Sequence, residues 1–492
     1  MLPRALGKKM PRGLPSLRRT LATVKAPKRE GNIGDSFASF SGIKQTLPDR
    51  FRQLKCDLVR GKERTLTQSW MRLLRELRRE NEIIARKGPD VIPEIAFADI
   101  RNGIERLQGE IKKRGAVVIK GVIPEDEARD YKFRIEEYAA KNPQTKAFPS
   151  PDNPQVYELY WSQPQLEARA HPSLLETQRH LMSKPLWHTT SPNAQINLDI
   201  PLSYVDRLRI RQPGDKSFAL GPHIDGGSVE RWEADGYGRG AVYDEVLNGQ
   251  WERYDAYDAA GRVDAVNDLN NGLGACSVFR MWQGWLSMSH TRPGEGSLKV
   301  YPHVHLSTAY VLLRPFFEPV DGALRGAEFL EERNWRFVGE EGMTSELHGA
   351  TPGHGQELND GLHPHLELQR TMVHVPDVAP GDFVAWHCDI DNAHTGKSDS
   401  SVLYIPVCPV TESNAEYLAR QRQAFREGTP GPDFPGGVGE SQHVGRVTED
   451  MFRGWAGAEG RRAMGLERLL VSSGAMTGQR EVVERANMIL GL

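Results

Sequence analysis

The sequence predicts a mainly β fold of the jelly-roll type, with helical flanks and long insertions, on three observations. Between Tyr204 and Pro409 short strand-like runs recur at 204–210, 277–289, 297–304, 307–314, 371–376, 382–387 and 401–407, most of them separated by Gly- and Pro-rich turns. Helical stripes are sparse inside that region and gather on either side of it. Two stretches, about 228–272 and 316–370, interrupt the strands, and a compact fold usually keeps loops of that length because they do something, such as cover a site. Many short strands with turn punctuation favour a sandwich or barrel.

Taken in order, residues 1–45 read as tail and linker. Residues 46–114 read as helical. Leu66, Trp70, Leu73, Leu74 and Leu77 fall on one helical face, and Ile104, Leu107 and Ile111 on another that stops at Gly115. Residues 115–412 read as the β domain, entered by the run from Ala116 to Ile123 and a helix start at Pro124-Glu-Asp-Glu. Residues 413–492 read as helical again: Ser413-Asn-Ala-Glu416 matches a capping box, and Val482, Val483, Ala486, Ile489 and Leu490 share a face.

Charge and cysteines narrow the function classes. The 492-residue chain has a net charge of -2 and a mean hydropathy of -0.54. Residues 1–29 hold nine Lys or Arg and no acid, which reads as a mitochondrial presequence or a basic tail and places the protein in mitochondria or cytoplasm. With nine of the 63 basic residues there, the rest sets 54 basic against all 65 acidic residues, a poor match to a phosphate backbone; no nucleic-acid partner is expected. No run of about 18 apolar residues offers a membrane span. Cys56, Cys276, Cys388 and Cys408 show no zinc-ribbon or disulfide spacing, which suits a reducing compartment.

His223-Ile-Asp225, followed by Gly226-Gly227, carries the chemistry. Two ligands one residue apart point the same way on an extended strand. A His and a carboxylate so held are two corners of the facial triad that binds non-haem Fe(II) and leaves positions open for co-substrate and dioxygen. The third corner is sought after the Pro380-Gly381-Asp382 turn, where His394 precedes Thr-Gly and an apolar strand; His387 reads as a packed histidine. His303-Val-His305 and His363-Pro-His365 are weaker metal candidates.

Several segments resemble a known family. Glu295-Gly-Ser-Leu-Lys-Val-Tyr-Pro-His303 and the Gly381-Asp382 turn are similar to elements of phytanoyl-CoA-hydroxylase-like oxygenases. Pro222 to Trp232, Phe279 to Trp285, His363 to Leu366, Trp386-His-Cys-Asp389 and Ser400 to Pro406 resemble domain-of-unknown-function family 1479 over roughly 45–470. The resemblance implies a double-stranded β-helix and Fe(II)/2-oxoglutarate chemistry. It also exposes a departure: Asn392 stands where the family's distal His is expected, so His394, two residues on in a shortened loop, is expected to take over coordination. Tyr404 stands where relatives place a cation for the far carboxylate of 2-oxoglutarate, which leaves Arg280 as first choice, with Arg209, Arg211 and Lys397 as alternatives.

The resulting expectation is an Fe(II)- and 2-oxoglutarate-dependent oxygenase that hydroxylates a small molecule, with His223, Asp225 and His394 as ligands and Trp282, Trp285 and Tyr301 as possible walls. Asn392 keeps two other readings open: a non-catalytic jelly-roll protein that binds a ligand or partner, and a cupin-type metal-dependent isomerase or hydrolase.

Overall fold

Two sheets organise the chain, which the computed structural model describes over residues 33–41, 46–150, 153–211, 220–273, 275–394, 399–434 and 436–492. The basic residues 1–29 therefore lie outside the described residues. The larger sheet has eight strands in the order Glu94–Ala96, Ala116–Lys120, Phe383–Trp386, Gln283–Ser287, Ser400–Tyr404, Leu208–Arg211, Asn153–Tyr157, Ala147–Ser150. Its first pair is parallel and the others are antiparallel. The smaller sheet is antiparallel, in the order Gln356–Glu357, His223–Ile224, Asp391–His394, Leu298–Val300, Val373–His374. Leu286, Val384 and Leu403 from the first sheet and Ile224, Leu298 and Val300 from the second belong to one apolar cluster, so the sheets share a core.

The expectation of a mainly β chain needs correction. Helical residues make up 44% of the described residues and strand residues 15%, and the architecture is mixed α/β with a large mixed sheet. Part of the reason is strand length. The run 277–289 yields only Gln283–Ser287, and 371–376 only Val373–His374. The rest is a misread element: 307–314, expected as a strand, is the helix Val304–Leu313, buried at all but one position. An unbroken apolar run has no periodicity to separate strand from helix. The deciding feature is His303, whose Nδ1 accepts the Leu306 N–H at 3.3 Å and caps the helix.

The flanking helices follow their apolar stripes. Glu63–Lys87 buries Leu66, Trp70, Leu73, Leu74 and Leu77, and Ile100–Arg114 ends at Gly115. Ser413 is not the cap expected of it: Thr411 caps Glu412–Glu427 by accepting the Asn414 N–H at 3.1 Å, while the Ser413 hydroxyl pairs with that of Thr411. Thr477–Leu490 packs against this helix through Val482, Val483, Ala486 and Leu490. Among the described residues no helix is long and apolar enough to cross a membrane.

The two insertions differ in kind. Residues 228–272 hold short helical turns, whereas 316–370 contribute the hairpin Phe317–Pro319 with Trp335–Phe337 and the edge strand Gln356–Glu357. That edge strand pairs directly with His223–Ile224.

Candidate active site

His223 sits in the smaller sheet between Glu357 and Asn392, its register partners on either side. The chain then turns sharply. Gly226 N–H donates to the Cys388 carbonyl at 3.0 Å, and a Cβ at Gly226 would stand only 3.0 Å from that oxygen. Gly227 adopts φ +76°, a region costly for any other residue. The turn brings the Asp225 carboxylate beside the His223 ring, with Nε2 and Oδ1 3.6 Å apart.

Hydrogen bonds determine which lone pairs face that space. The Gly221 carbonyl, 2.7 Å from His223 Nδ1, can only accept, so Nδ1 carries the proton and neutral His223 offers its lone pair at Nε2. Asp225 Oδ2 accepts from Trp386 Nε1 at 3.1 Å and from Asn392 Nδ2 at 2.8 Å, leaving Oδ1 toward His223. Burial alone would raise the Asp225 pKa, but His223, then Arg280 and the Trp386 hydrogen bond, outweigh it and hold the carboxyl well below its usual range. Burial likewise opposes a charged His223, and the Asp225 carboxylate and Gly221 carbonyl overcome it, raising its pKa.

Asn392 faces this pair rather than away from it. Its Nδ2 also donates to the His223 carbonyl at 3.3 Å, and its buried Oδ1 has no hydrogen-bond partner among the described residues. The segment expected as a shortened loop is the strand Asp391–His394, where His394 pairs with Leu298. The His394 side chain and all of Lys397 lie outside the described residues. Among the described residues no three or more His, Cys, Asp or Glu side chains gather as a metal site. The donor set on view is thus one imidazole, one carboxylate and one amide, two of the three protein ligands of a facial triad plus an amide oxygen.

A cavity of about 160 Å³ opens over the pair, lined by His223, Asp225, Trp386 and Asn392, with Phe37 and Leu220 on its apolar side. Arg280 lines it and donates from Nη2 to the Asp225 carbonyl at 2.9 Å. Arg207 lines it too, held against the Phe434 ring at 4.4 Å. Of the other nominated cations, the two described ones are engaged in the large sheet: Arg209 Nη2 donates to Ser400 Oγ at 3.1 Å, and Arg211 Nε to Gln155 Oε1 at 3.3 Å. Trp282, Trp285 and Tyr301 are core residues rather than walls; Trp282 Nε1 bonds the Leu181 carbonyl and Tyr301 the Asn81 side chain.

Among the other nominated histidines, His387, His305 and one nitrogen of His365 have structural partners, whereas neither ring nitrogen of the buried His363 has a hydrogen-bond partner among the described residues. His387 is buried, stacked on Trp187 at 5.4 Å, with Nε2 on the Ala256 carbonyl at 3.0 Å. His305 Nε2 meets the Tyr254 carbonyl, and His365 Nδ1 the Tyr310 hydroxyl at 3.1 Å.

Two features escaped sequence reasoning. Asp389, two residues past His387, is completely buried and takes Arg231 at 3.0 Å, Arg262 at 2.6 Å, and the Tyr243 and Tyr254 hydroxyls at 2.9 and 3.1 Å. All four partners come from the 228–272 insertion, so this carboxylate ties that insertion to the strand leading toward Asn392. The segment 33–41, read as tail, packs Phe37 against His223. A signal existed for the first, since Asp389 closes the Trp-His-Cys-Asp motif; a Phe in a segment that reads as linker gives none for the second.

Comparisons with known proteins agree with one another. The Gig2-like family model matches residues 45–466. The uncharacterized protein YbiU of Escherichia coli (strain K12) is 32% identical over 398 residues, covering 77% of this chain and 87% of that one. The solved structure of GlcNAc Inducible Gene 2, GIG2 (DUF1479), from Candida albicans is 31% identical with a TM-score of 0.79, covering 91% of this chain and 96% of that one. A Salmonella typhimurium LT2 structure, provisionally designated an oxidoreductase, is 30% identical with a TM-score of 0.70, covering 85% of this chain and 98% of that one.

Proposed function

We propose, from the premise that the chain belongs to the Gig2-like family, that it is an Fe(II)- and 2-oxoglutarate-dependent oxygenase of a small molecule, built on a double-stranded β-helix core. The observation that carries this reading is the His223–Asp225 pair. Each side chain has one donor atom tied up by the protein and the other, Nε2 or Oδ1, turned toward the same space 3.6 Å apart. These two residues would hold the ion, with His394 as the third ligand from the Asn392 strand. When bound, Fe(II) with 2-oxoglutarate and dioxygen supplies the oxidising power for hydroxylation, coupled to release of succinate and CO2.

The chain's own contribution is positional. The Gly221 carbonyl holds the His223 tautomer, and Trp386 with Asn392 fixes the carboxylate plane. Arg280, lining the cavity, is the cation suited to the far carboxylate of 2-oxoglutarate, where a guanidinium gives a two-pronged grip. The oxidoreductase designation of the Salmonella relative supports the reaction class. The partners in this reading are dioxygen and the substrate, with no nucleic acid or membrane, in mitochondria or cytoplasm.

One observation favours a second reading, a ligand-binding jelly roll without catalysis: Asn392 stands directly across from His223 and hydrogen-bonds Asp225. Succinate formation separates the two. Purified protein given Fe(II), 2-oxoglutarate and dioxygen is expected to release succinate slowly even without its substrate, and His223→Ala is expected to release none. Absence of 2-oxoglutarate consumption by the Fe(II)-loaded wild type across a metabolite panel would favour the binder.

A further inference from the structure

The family match begins at residue 45, yet the cavity is closed in part by residues that precede it. Ile33–Ser36 forms one helical turn, Ala38–Ser41 another, and Phe37 between them is 7% exposed. The Phe37 ring meets the His223 imidazole edge-on, with centroids 4.8 Å apart and planes at 72°. Hydrogen bonds hold the segment, among them Gly355 N–H to the Ser36 carbonyl at 2.7 Å, Ser36 Oγ–H to the Leu273 carbonyl at 3.2 Å, and Ser39 N–H to Glu357 Oε2 at 3.0 Å. Glu357 is the residue paired with His223 in the sheet, so the segment is fastened to the strand that flanks the candidate ligand. Gly355 suits this docking, since a Cβ there would stand 3.1 Å from the Phe37 ring. Phe37, Val156 and Leu220 form a small apolar cluster, and Phe37 and Leu220 line the cavity.

We infer that residues 33–41 are a working part of this chain's site, with Phe37 as its positioning and specificity residue. The ring fixes the plane of the His223 imidazole, so that Nε2 addresses the same space as Asp225 Oδ1. Together with Leu220 it gives the cavity an apolar wall, which selects a substrate carrying an apolar portion rather than a uniformly polar one. The specificity half rests on the oxygenase reading. The positioning half requires only that His223 bind a metal ion.

The test compares the full chain with Phe37→Ala, Phe37→Tyr and a chain lacking residues 1–41, using anaerobic Co(II) titration and hydrogen–deuterium exchange. An aromatic edge contact of ordinary strength corresponds to about a 3- to 10-fold change in affinity. Phe37→Ala and the truncation are expected to weaken Co(II) binding by that factor, and Phe37→Tyr, which keeps the ring, to stay within about twofold of wild type. Exchange in the truncated chain is expected to quicken at residues 220–227 and at Gly355, with the helix Glu63–Lys87 unchanged. Unaltered Co(II) affinity in Phe37→Ala overturns the positioning role alone, whereas a wild-type chain that takes up no Co(II) overturns it together with the metal reading. Unaltered exchange after truncation shows the segment is not docked and overturns the inference entirely.

Discussion

Asp389 and Asp391 stand two residues apart with 0% exposure each, yet the protein treats their charges in opposite ways. Asp389 receives four donors, two of them guanidinium groups; burial pushes its pKa up, but Arg262 and Arg231 outweigh that and keep it ionised far below the usual range. Asp391 has no hydrogen-bond partner on either oxygen among the described residues, and burial, only partly offset by Arg231 and His223, pushes its carboxyl up to about 7. Asp225 lies between these extremes. Its side chain is 19% exposed, one oxygen is satisfied by Trp386 and Asn392, and the other is left toward His223 and the cavity. The saturated carboxylate is a structural tie and the unpartnered one a cost of burial. The half-satisfied, accessible one has both the charge and the open lone pair that coordination needs.

The largest expected effect falls on the tie. Asp389→Asn leaves Arg231 and Arg262 buried without a counter-charge, and breaking a buried ion pair from one side typically costs about 3–5 kcal/mol. Chemical denaturation should show that loss, together with proteolytic sensitivity in residues 228–272. A change under 1 kcal/mol would mean the insertion is held by its apolar contacts instead.

Asp391 should behave in the reverse sense. Because its folded pKa is raised, the folded chain keeps a proton that the unfolded chain releases above about pH 4. The associated stability is full below that pH, falls as pH rises toward about 7, and stays lost above. Asp391→Asn should remove this dependence and, at pH 8, make the protein about 1–3 kcal/mol more stable than wild type. Denaturation at pH 5 and pH 8 checks it; equal pH dependence in wild type and variant would show that Asp391 is hydrated or partnered.

A smaller effect is expected at the positioning amide. Asn392→Ala removes one donor from Asp225 Oδ2 and should weaken Fe(II) binding roughly 5- to 20-fold, the scale of one hydrogen bond to a charged group. An unchanged affinity in anaerobic titration would make Asn392 a bystander.

Much of the site was legible because its logic is local. The x-spacing of His223 and Asp225, the glycines after them and the Gly381-Asp382 turn are all set within a few residues. Long-range pairing was not legible. Arg231, Tyr243, Tyr254 and Arg262 meet Asp389 from 127 to 158 positions away, and no periodicity announces such a meeting. The same holds for Phe37, which reaches His223 from a segment whose composition reads as linker. The helix Val304–Leu313 differs for the opposite reason: its signal is local but ambiguous, since burial at all but one position erases the amphipathic pattern that separates helix from strand. Asn392 stands out in the sequence as a departure from the resemblance, but only the strand register places it across from His223.

Equilibrium binding of Fe(II) under anaerobic conditions tests the central claim most directly, because the two kinds of carboxylate should separate in one experiment. Wild type is expected to bind one Fe(II) per chain. His223→Ala and Asp225→Ala are expected to lose that binding while their thermal unfolding shifts by no more than a few degrees, since neither residue anchors the core. Asp389→Asn, measured below its unfolding range, is expected to keep a stoichiometric site despite its large loss of stability. Stoichiometric Fe(II) at normal affinity in His223→Ala or Asp225→Ala would contradict the assignment.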